Sequence, residues 1–259
     1  MLAVALAGLA AGSINAVVGS GTLVTFPVLL AVGLPPVTAT VTNSLGLVAG
    51  NLTGAIGYRR ELAGQRRLLV RLFPASVLGA LTGAFLLLHL PASAFERVVP
   101  GLVALAVLLV AVQPLLQRRL AARRARAGAV PPDTSARLGR GRLTALFAGA
   151  YATGTYGGYF AASQGVLQIG IFGLLLRESL QRLNALKNVL TLAVNAVAAG
   201  AYVVVATDRV DWAAAGLLAA GSLVGGAVSS RYGRKLPEPV LRTAIVVLGL
   251  IAIVVLVRR

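Results

Sequence analysis

The chain has 259 residues, of which 58% are apolar and 12% charged, with a mean hydropathy of +0.86. A soluble domain sits nearer ~45–50% apolar and ~25% charged, so a water-soluble globular enzyme is excluded at the outset. The 24 Lys and Arg against 7 Asp and Glu give a net charge of +17, but the arginines cluster between hydrophobic runs. The positive-inside rule accounts for such clusters directly, and no nucleic-acid partner is expected. With no cysteine there is no disulfide framework, thiolate nucleophile or Cys-based metal site. Met1 is followed by apolar residues without a basic n-region, so no cleaved signal peptide is expected.

Hydrophobic runs fall at 1–18, 22–33, 38–58, 69–90, 98–116, 143–155, 164–176, 184–206, 212–229 and 240–257. The longer ones suffice to cross a ~30 Å hydrocarbon core. Four are short and form two pairs, each split by a Gly-rich break. The first break is Gly19-Ser20-Gly21; the second runs from Gly154 through Gly157-Gly158 to Ser163-Gln164-Gly165. Gly-interrupted segments at matching places in two halves point to a transporter binding site.

Charge then sets the expected topology. The linkers 59–71, 117–142 and 230–239 and the stretch 177–187 are basic and expected on the cytoplasmic side. The linkers 89–97 and 206–211 are near neutral or acidic and expected outside, as are Arg258 and Arg259 in this scheme. Residues 142 and 183 then lie on one side, so 143–176 enters and returns, and 1–33 does the same from the opposite side. Each half becomes one broken or re-entrant hairpin plus three transmembrane helices. Three is odd, so the halves are inverted. The expected fold is an all-α polytopic protein of the cell (inner) membrane, with repeats 1–116 and 143–259. The linker 117–142, with Pro131-Pro132-Asp133, reads as flexible.

An offset of about 144–145 residues lays 42–58 on 187–202, so that Asn43 meets Asn188, Asn51 meets Asn195 and Tyr58 meets Tyr202. Asn43 and Asn51, like Asn188 and Asn195, share a helical face two turns apart. A buried amide in hydrocarbon must be bonded or face a cavity. The pairs therefore read as a polar stripe lining a substrate path, with interhelical hydrogen bonding as the structural alternative.

A helix that starts inside the membrane presents free N–H groups and partial positive charge. Segments 22–32 and 164–176 start after the breaks, with Ser20, Thr22 and Ser163 as candidate caps. Two such ends meeting near the midplane make an anion site. The candidate substrate contacts are Asn15, Gly19, Ser20, Gly21, Thr22, Asn43, Asn51, Gly157, Gly158, Ser163, Gln164, Gly165, Lys187, Asn188 and Asn195. Lys187 reads either as a snorkelling interfacial lysine or as a cavity cation.

Every acid falls in a linker or at a span end, which argues against a cation pump or proton relay and favours an anionic or neutral substrate. His89, the single histidine, sits at an external span end; there is no HExxH and no GxSxG with a histidine partner, so no hydrolase is expected. No metal and no cofactor is implied. The series Gly46/Gly50/Gly54, Gly79/Gly83 and Gly221/Gly225 read as close-packing runs, and a homodimer face is left open.

The stretch AGSINAVVGSGTLVTFPVLLAVGLPPVTATVTNSLG (11–46), paired in order with GTYGGYFAASQGVLQIGIF (154–172) and the Asn-Ala-Leu-Lys-Asn run, resembles the TauE/SafE family of sulfite exporters over nearly the whole chain. The resemblance implies a transporter that exports sulfite, sulfoacetate or related sulfonates, or takes up similar anions. The sequence departs from the family where the first break reads Gly-Ser-Gly and the second Ala161-Ala162-Ser163. A facilitative anion channel and a non-transporting scaffold subunit are the alternatives.

Overall fold

The computed structural model describes residues 1–127, 139–176, 178–232 and 238–257. The expectations that rest on Pro131-Pro132-Asp133, Arg177, Arg234, Lys235, Arg258 and Arg259 lie outside those residues. Among the described residues all regular structure is helical: α1 Leu2–Val17, α2 Thr22–Ala31, α3 Pro36–Gly57, α4 Arg66–His89, α5 Ala92–Ala127, α6 Arg140–Tyr159, α7 Gln164–Leu175, α8 Leu180–Val205, α9 Trp212–Tyr232 and α10 Glu238–Val257. Four of these helices, α4, α5, α8 and α9, combine the length and apolar composition needed to cross a membrane.

Two differences from the sequence reading stand out. Helix α5 runs on to Ala127, so the start of the stretch expected to be a flexible linker is helical; its alanines and arginines are good helix formers. The Gly154–Gly158 stretch lies inside α6 and does not break it. Its glycines face a neighbouring helix instead.

Packing is reciprocal between the halves. Helix α1 of the first half packs on α9 of the second, as α6 of the second packs on α4 of the first. Likewise α2 lies against α10 and α7 against α5, while α3 meets α8. Each hairpin is thus embraced by the other half.

Glycines explain how closely these arms sit. A Cβ on Gly12 would stand 2.1 Å from Ser222 O, and one on Gly225 2.0 Å from Leu9 O. In the mirrored seam, a Cβ on Gly83 would stand 2.1 Å from Thr155 O and one on Gly158 2.3 Å from Ala80 O. Without a hydrophobic drive between helices in lipid, such backbone-close van der Waals packing supplies association. The Gly79/Gly83 and Gly221/Gly225 runs are therefore used within the chain, and their partners are Gly154/Gly158 and Gly8/Gly12.

Part of the interior between the hairpins is apolar and aromatic. Phe26 of α2 meets Phe160 at the end of α6 edge-to-face, with centroids 5.1 Å apart. Leu78, Phe85, Leu108 and Val204 point outward and are exposed, which suits lipid and would be a liability in water.

Candidate functional site

At the first hairpin tip, α1 ends at Val17 and α2 resumes at Thr22. The turn needs Gly19 because its φ is +86°, in the left-handed region. Helix α2 has 10 residues, about 15 Å at ~1.5 Å per residue, or half the hydrocarbon thickness. Neither Ser20 nor Thr22 caps it. The cap comes from α1: Asn15 Oδ1 accepts the Gly21 N–H at 2.8 Å. The same amide donates from Nδ2 to Asn51 Oδ1 at 3.0 Å, tying α1 to α3. Asn43 Nδ2 donates to Thr22 Oγ1 at 3.1 Å, and Asn43 Oδ1 accepts from Thr25 Oγ1.

Helix α8 delivers the cation. Its start is fixed by Ser179, whose Oγ accepts the Arg182 N–H at 3.3 Å. Lys187 is 1% exposed, so it does not snorkel. Its Nζ donates to Asn15 O at 3.0 Å, a carbonyl and not a carboxylate. One residue on, Asn188 Nδ2 donates to Ala16 O at 3.3 Å. Lys187 and Asn188 of the second half thus close over the tip of the first.

The second tip has the same plan and different chemistry. Helix α6 ends at Tyr159, and the break is Phe160–Ser163. Ala161 and Ser163 carry φ of +64° and +59°, a conformation that costs a non-glycine residue about 1–2 kcal/mol. Ser163 does not cap α7; its Oγ donates to Ala106 O of α5 at 3.1 Å. Gly165 N–H donates to Gly19 O at 3.2 Å, so the two tips touch backbone to backbone. A Cβ on Gly19 would stand 2.7 Å from Gly165 Cα, and one on Gly165 2.9 Å from Lys187 Cδ.

The helix N-termini expected to offer free N–H groups to an anion are therefore largely occupied by the protein itself. The Gly21, Leu23, Gly165 and Val166 N–H groups all have acceptors within the protein. Gly157 faces the Gln164 side chain, whereas Gly158 belongs to the seam with α4 and its carbonyl accepts the Tyr202 hydroxyl.

Unmet hydrogen-bonding capacity gathers on the second hairpin and α8. Gln164 is 1% exposed, yet neither its Oε1 nor its Nε2 has a partner. Gln168 Nε2 and Asn195 Oδ1 are unpartnered as well. Gln168 Oε1 accepts from Thr191 Oγ1 at 2.9 Å, and Asn195 Nδ2 donates to Thr191 O at 3.0 Å, so α7 and α8 join here. At the first tip only Ser20 Oγ and Asn51 Nδ2 are left over. Each buried orphan costs about 1–3 kcal/mol unless water or a ligand meets it. Sequence reasoning missed Thr25, Gln168 and Thr191. A signal existed: Gln164 and Gln168 are one turn apart in an otherwise apolar helix of 12 residues. Among the described residues no His, Cys, Asp and Glu group could hold a metal ion.

An all-helical, lipid-facing chain whose two halves enclose a buried polar seam at two broken-helix tips belongs to the class of multi-pass membrane transporters, not to the enzymes. The sulfite exporter TauE/SafE family model matches residues 4–256, and the chain belongs to that family. It is 26% identical over 239 residues to "Probable membrane transporter protein YfcA" of Escherichia coli K12, covering 89% of this chain and 81% of the relative. It is also 31% identical over 96 residues to "Probable membrane transporter protein" of Haemophilus influenzae, covering 37% and 38% of the two chains. No solved structure matches. Family and relatives agree with a multi-pass protein of the cell membrane.

Proposed function

We propose that the protein is a secondary transporter, working as an exporter, of small sulfur-containing anions such as sulfite or organosulfonates. The anion binds at the meeting point of the two hairpin tips, near the bilayer midplane. The observation that carries this reading is Lys187: a fully buried amine against the Gly19–Gly165 contact, bonded to a carbonyl. A buried ionisable side chain is costly in a membrane and marks a functional site by default; with a carbonyl and no carboxylate beside it, an anionic substrate is the complement we assign.

Alternating access follows from the reciprocal packing. The halves are inverted, and rocking one against the other parts Gly165 from Gly19. That motion releases the Gly165 N–H and the Lys187 Nζ from Gly19 O and Asn15 O. Both donors, with the Asn51 amide, then face the anion. The orphaned Gln164, Gln168 and Asn195 atoms on α7 and α8 complete the polar shell. Among the described residues no acid lines this seam, so transport is uncoupled or uses the anion's own protonation.

Thermal-shift titration of the purified, detergent-solubilised protein with sulfite, sulfoacetate, taurine and sulfate tests the reading. Selective stabilisation by a sulfur oxyanion is expected, weakened in Asn43→Ala and Asn188→Ala. Absence of any shift at millimolar anion would sink the substrate class. Flux without saturation would instead make the protein a facilitative anion channel.

A further inference from the structure

A cavity of mixed polar and apolar lining lies where α3 and α9 end side by side. It encloses about 680 Å³, within the ~300–1,000 Å³ range of small-ligand sites. Arg59 and Arg60 follow the end of α3, and Arg231 lies in the last turn of α9; all three are exposed. Glu61 is the one acid in the lining, so guanidinium groups outnumber it. Toward the apolar body of the helices the walls become aliphatic: Ile56 is 50% exposed and Val228 52%.

This gradient has a physical meaning. Helix α9 is long and apolar enough to cross a membrane and ends in Arg231, which places the arginines at headgroup depth. Ile56 and Val228 lie one helical turn or less inward, at the start of the hydrocarbon. A soluble anion would use the guanidinium groups and leave those aliphatic walls against water. A ligand with a phosphate diester head and acyl chains satisfies both. Guanidinium is the side chain best matched to phosphate, through paired N–H donors.

We infer that the Arg59/Arg60/Arg231 cavity is a binding site for one anionic glycerophospholipid. Its phosphate diester is held by the arginines and its glycerol and upper acyl carbons lie on Ile56 and Val228. The site bridges the two halves, since α3 belongs to the first and α9 to the second. A Cβ on Gly57 would stand 2.2 Å from Ser230 Cβ, so the lipid fills a wedge between helices already in backbone-close contact.

Native mass spectrometry of the whole protein, released from nanodiscs of equal phosphatidylglycerol and phosphatidylcholine, tests this. One retained phosphatidylglycerol is expected, favoured about tenfold over phosphatidylcholine. Arg231→Gln alone weakens retention about fivefold, as one near-surface basic residue does for anionic lipid. The triple variant Arg59→Gln, Arg60→Gln, Arg231→Gln brings the ratio to about one. Arg66→Gln with Arg67→Gln, exposed arginines at the same end but outside the cavity, leaves it unchanged. Added glycerol 3-phosphate does not displace the lipid. The proposal is overturned if the wild type shows no preference, if the Arg66/Arg67 variant loses retention equally, or if glycerol 3-phosphate empties the site.

Discussion

The two hairpin tips share a backbone plan and divide its chemistry unequally. Both follow a helix that packs through glycines onto the fourth helix of the other half, and both restart in a short helix after a left-handed residue. At the first tip the left-handed residue is Gly19, and Asn15, Asn51, Lys187 and Asn188 bond nearly everything around it. At the second, Ala161 and Ser163 hold strained dihedrals and Gln164 has no partner for either end of its amide. One tip is wired and unstrained, while the other stores strain and open valences. Of two tips on one backbone plan, the one that departs from its local optimum is the stronger candidate for function.

The largest expected effects test the shared plan. Gly12→Leu and Gly158→Leu each push a side chain into a backbone carbonyl 2.1 Å and 2.3 Å from the first added carbon. Overpacking on this scale is expected to cost at least about 3 kcal/mol, seen as loss of a monodisperse species on size exclusion. Equal damage in both arms would support their equivalence; a silent variant in either arm would break it.

Next comes the cation. Lys187→Met removes the charge and keeps the volume, so sulfite affinity is expected to fall about 100-fold, in the range for losing a buried charged contact. Thermal stability should hold or rise, because a buried amine with no carboxylate partner is gone, its bond to Asn15 O being the offsetting loss. A variant that loses stability and keeps affinity would make Lys187 structural.

The tips themselves should respond with opposite signs. Gly19→Ala meets both a positive φ and Gly165 Cα at 2.7 Å, and is expected to destabilise by about 2 kcal/mol. Ala161→Gly relieves strain at the other tip and is expected to gain about 0.5–1 kcal/mol, less than the full strain because the unfolded chain also gains freedom. Thermal denaturation of the two variants side by side reads the difference.

Last comes Gln164→Leu. Its amide atoms bond nothing, so no hydrogen bond is lost and stability should hold or rise, by up to about 1–3 kcal/mol where no water meets them. Anion affinity should nevertheless weaken about tenfold, as for losing one hydrogen bond to a charged ligand.

Much of this arrangement was legible in the sequence, for stated reasons. Hydrophobic runs placed the helices because a lipid-facing helix has no alternative pattern. Gly19-Ser20-Gly21 marked the first break because the positive φ demands glycine there. The second break was drawn from Gly154 through to Gly165, so its end before Gln164 was found while its start was set too early, because glycine has two uses. A turn needs its φ, whereas a helix seam needs only its missing Cβ, and composition does not separate them. Ala161 and Ser163 gave no sign of the left-handed dihedrals they adopt, so Phe160 was not marked as the start of the break. Capping by Asn15 was invisible locally, since the acceptor lies six residues before the donor and across a turn. Lys187 was left open between interface and cavity because its depth depends on where α8 sits relative to α1.

The most direct measurement is saturable flux of ³⁵S-sulfite in proteoliposomes, comparing the wild type with Lys187→Met at matched incorporation and confirmed fold. The expected result is wild-type flux that saturates with sulfite and falls to the level of empty liposomes in Lys187→Met. Equal flux in the two proteins, or none in the wild type, would contradict the placement of a sulfur-anion site at the hairpin tips.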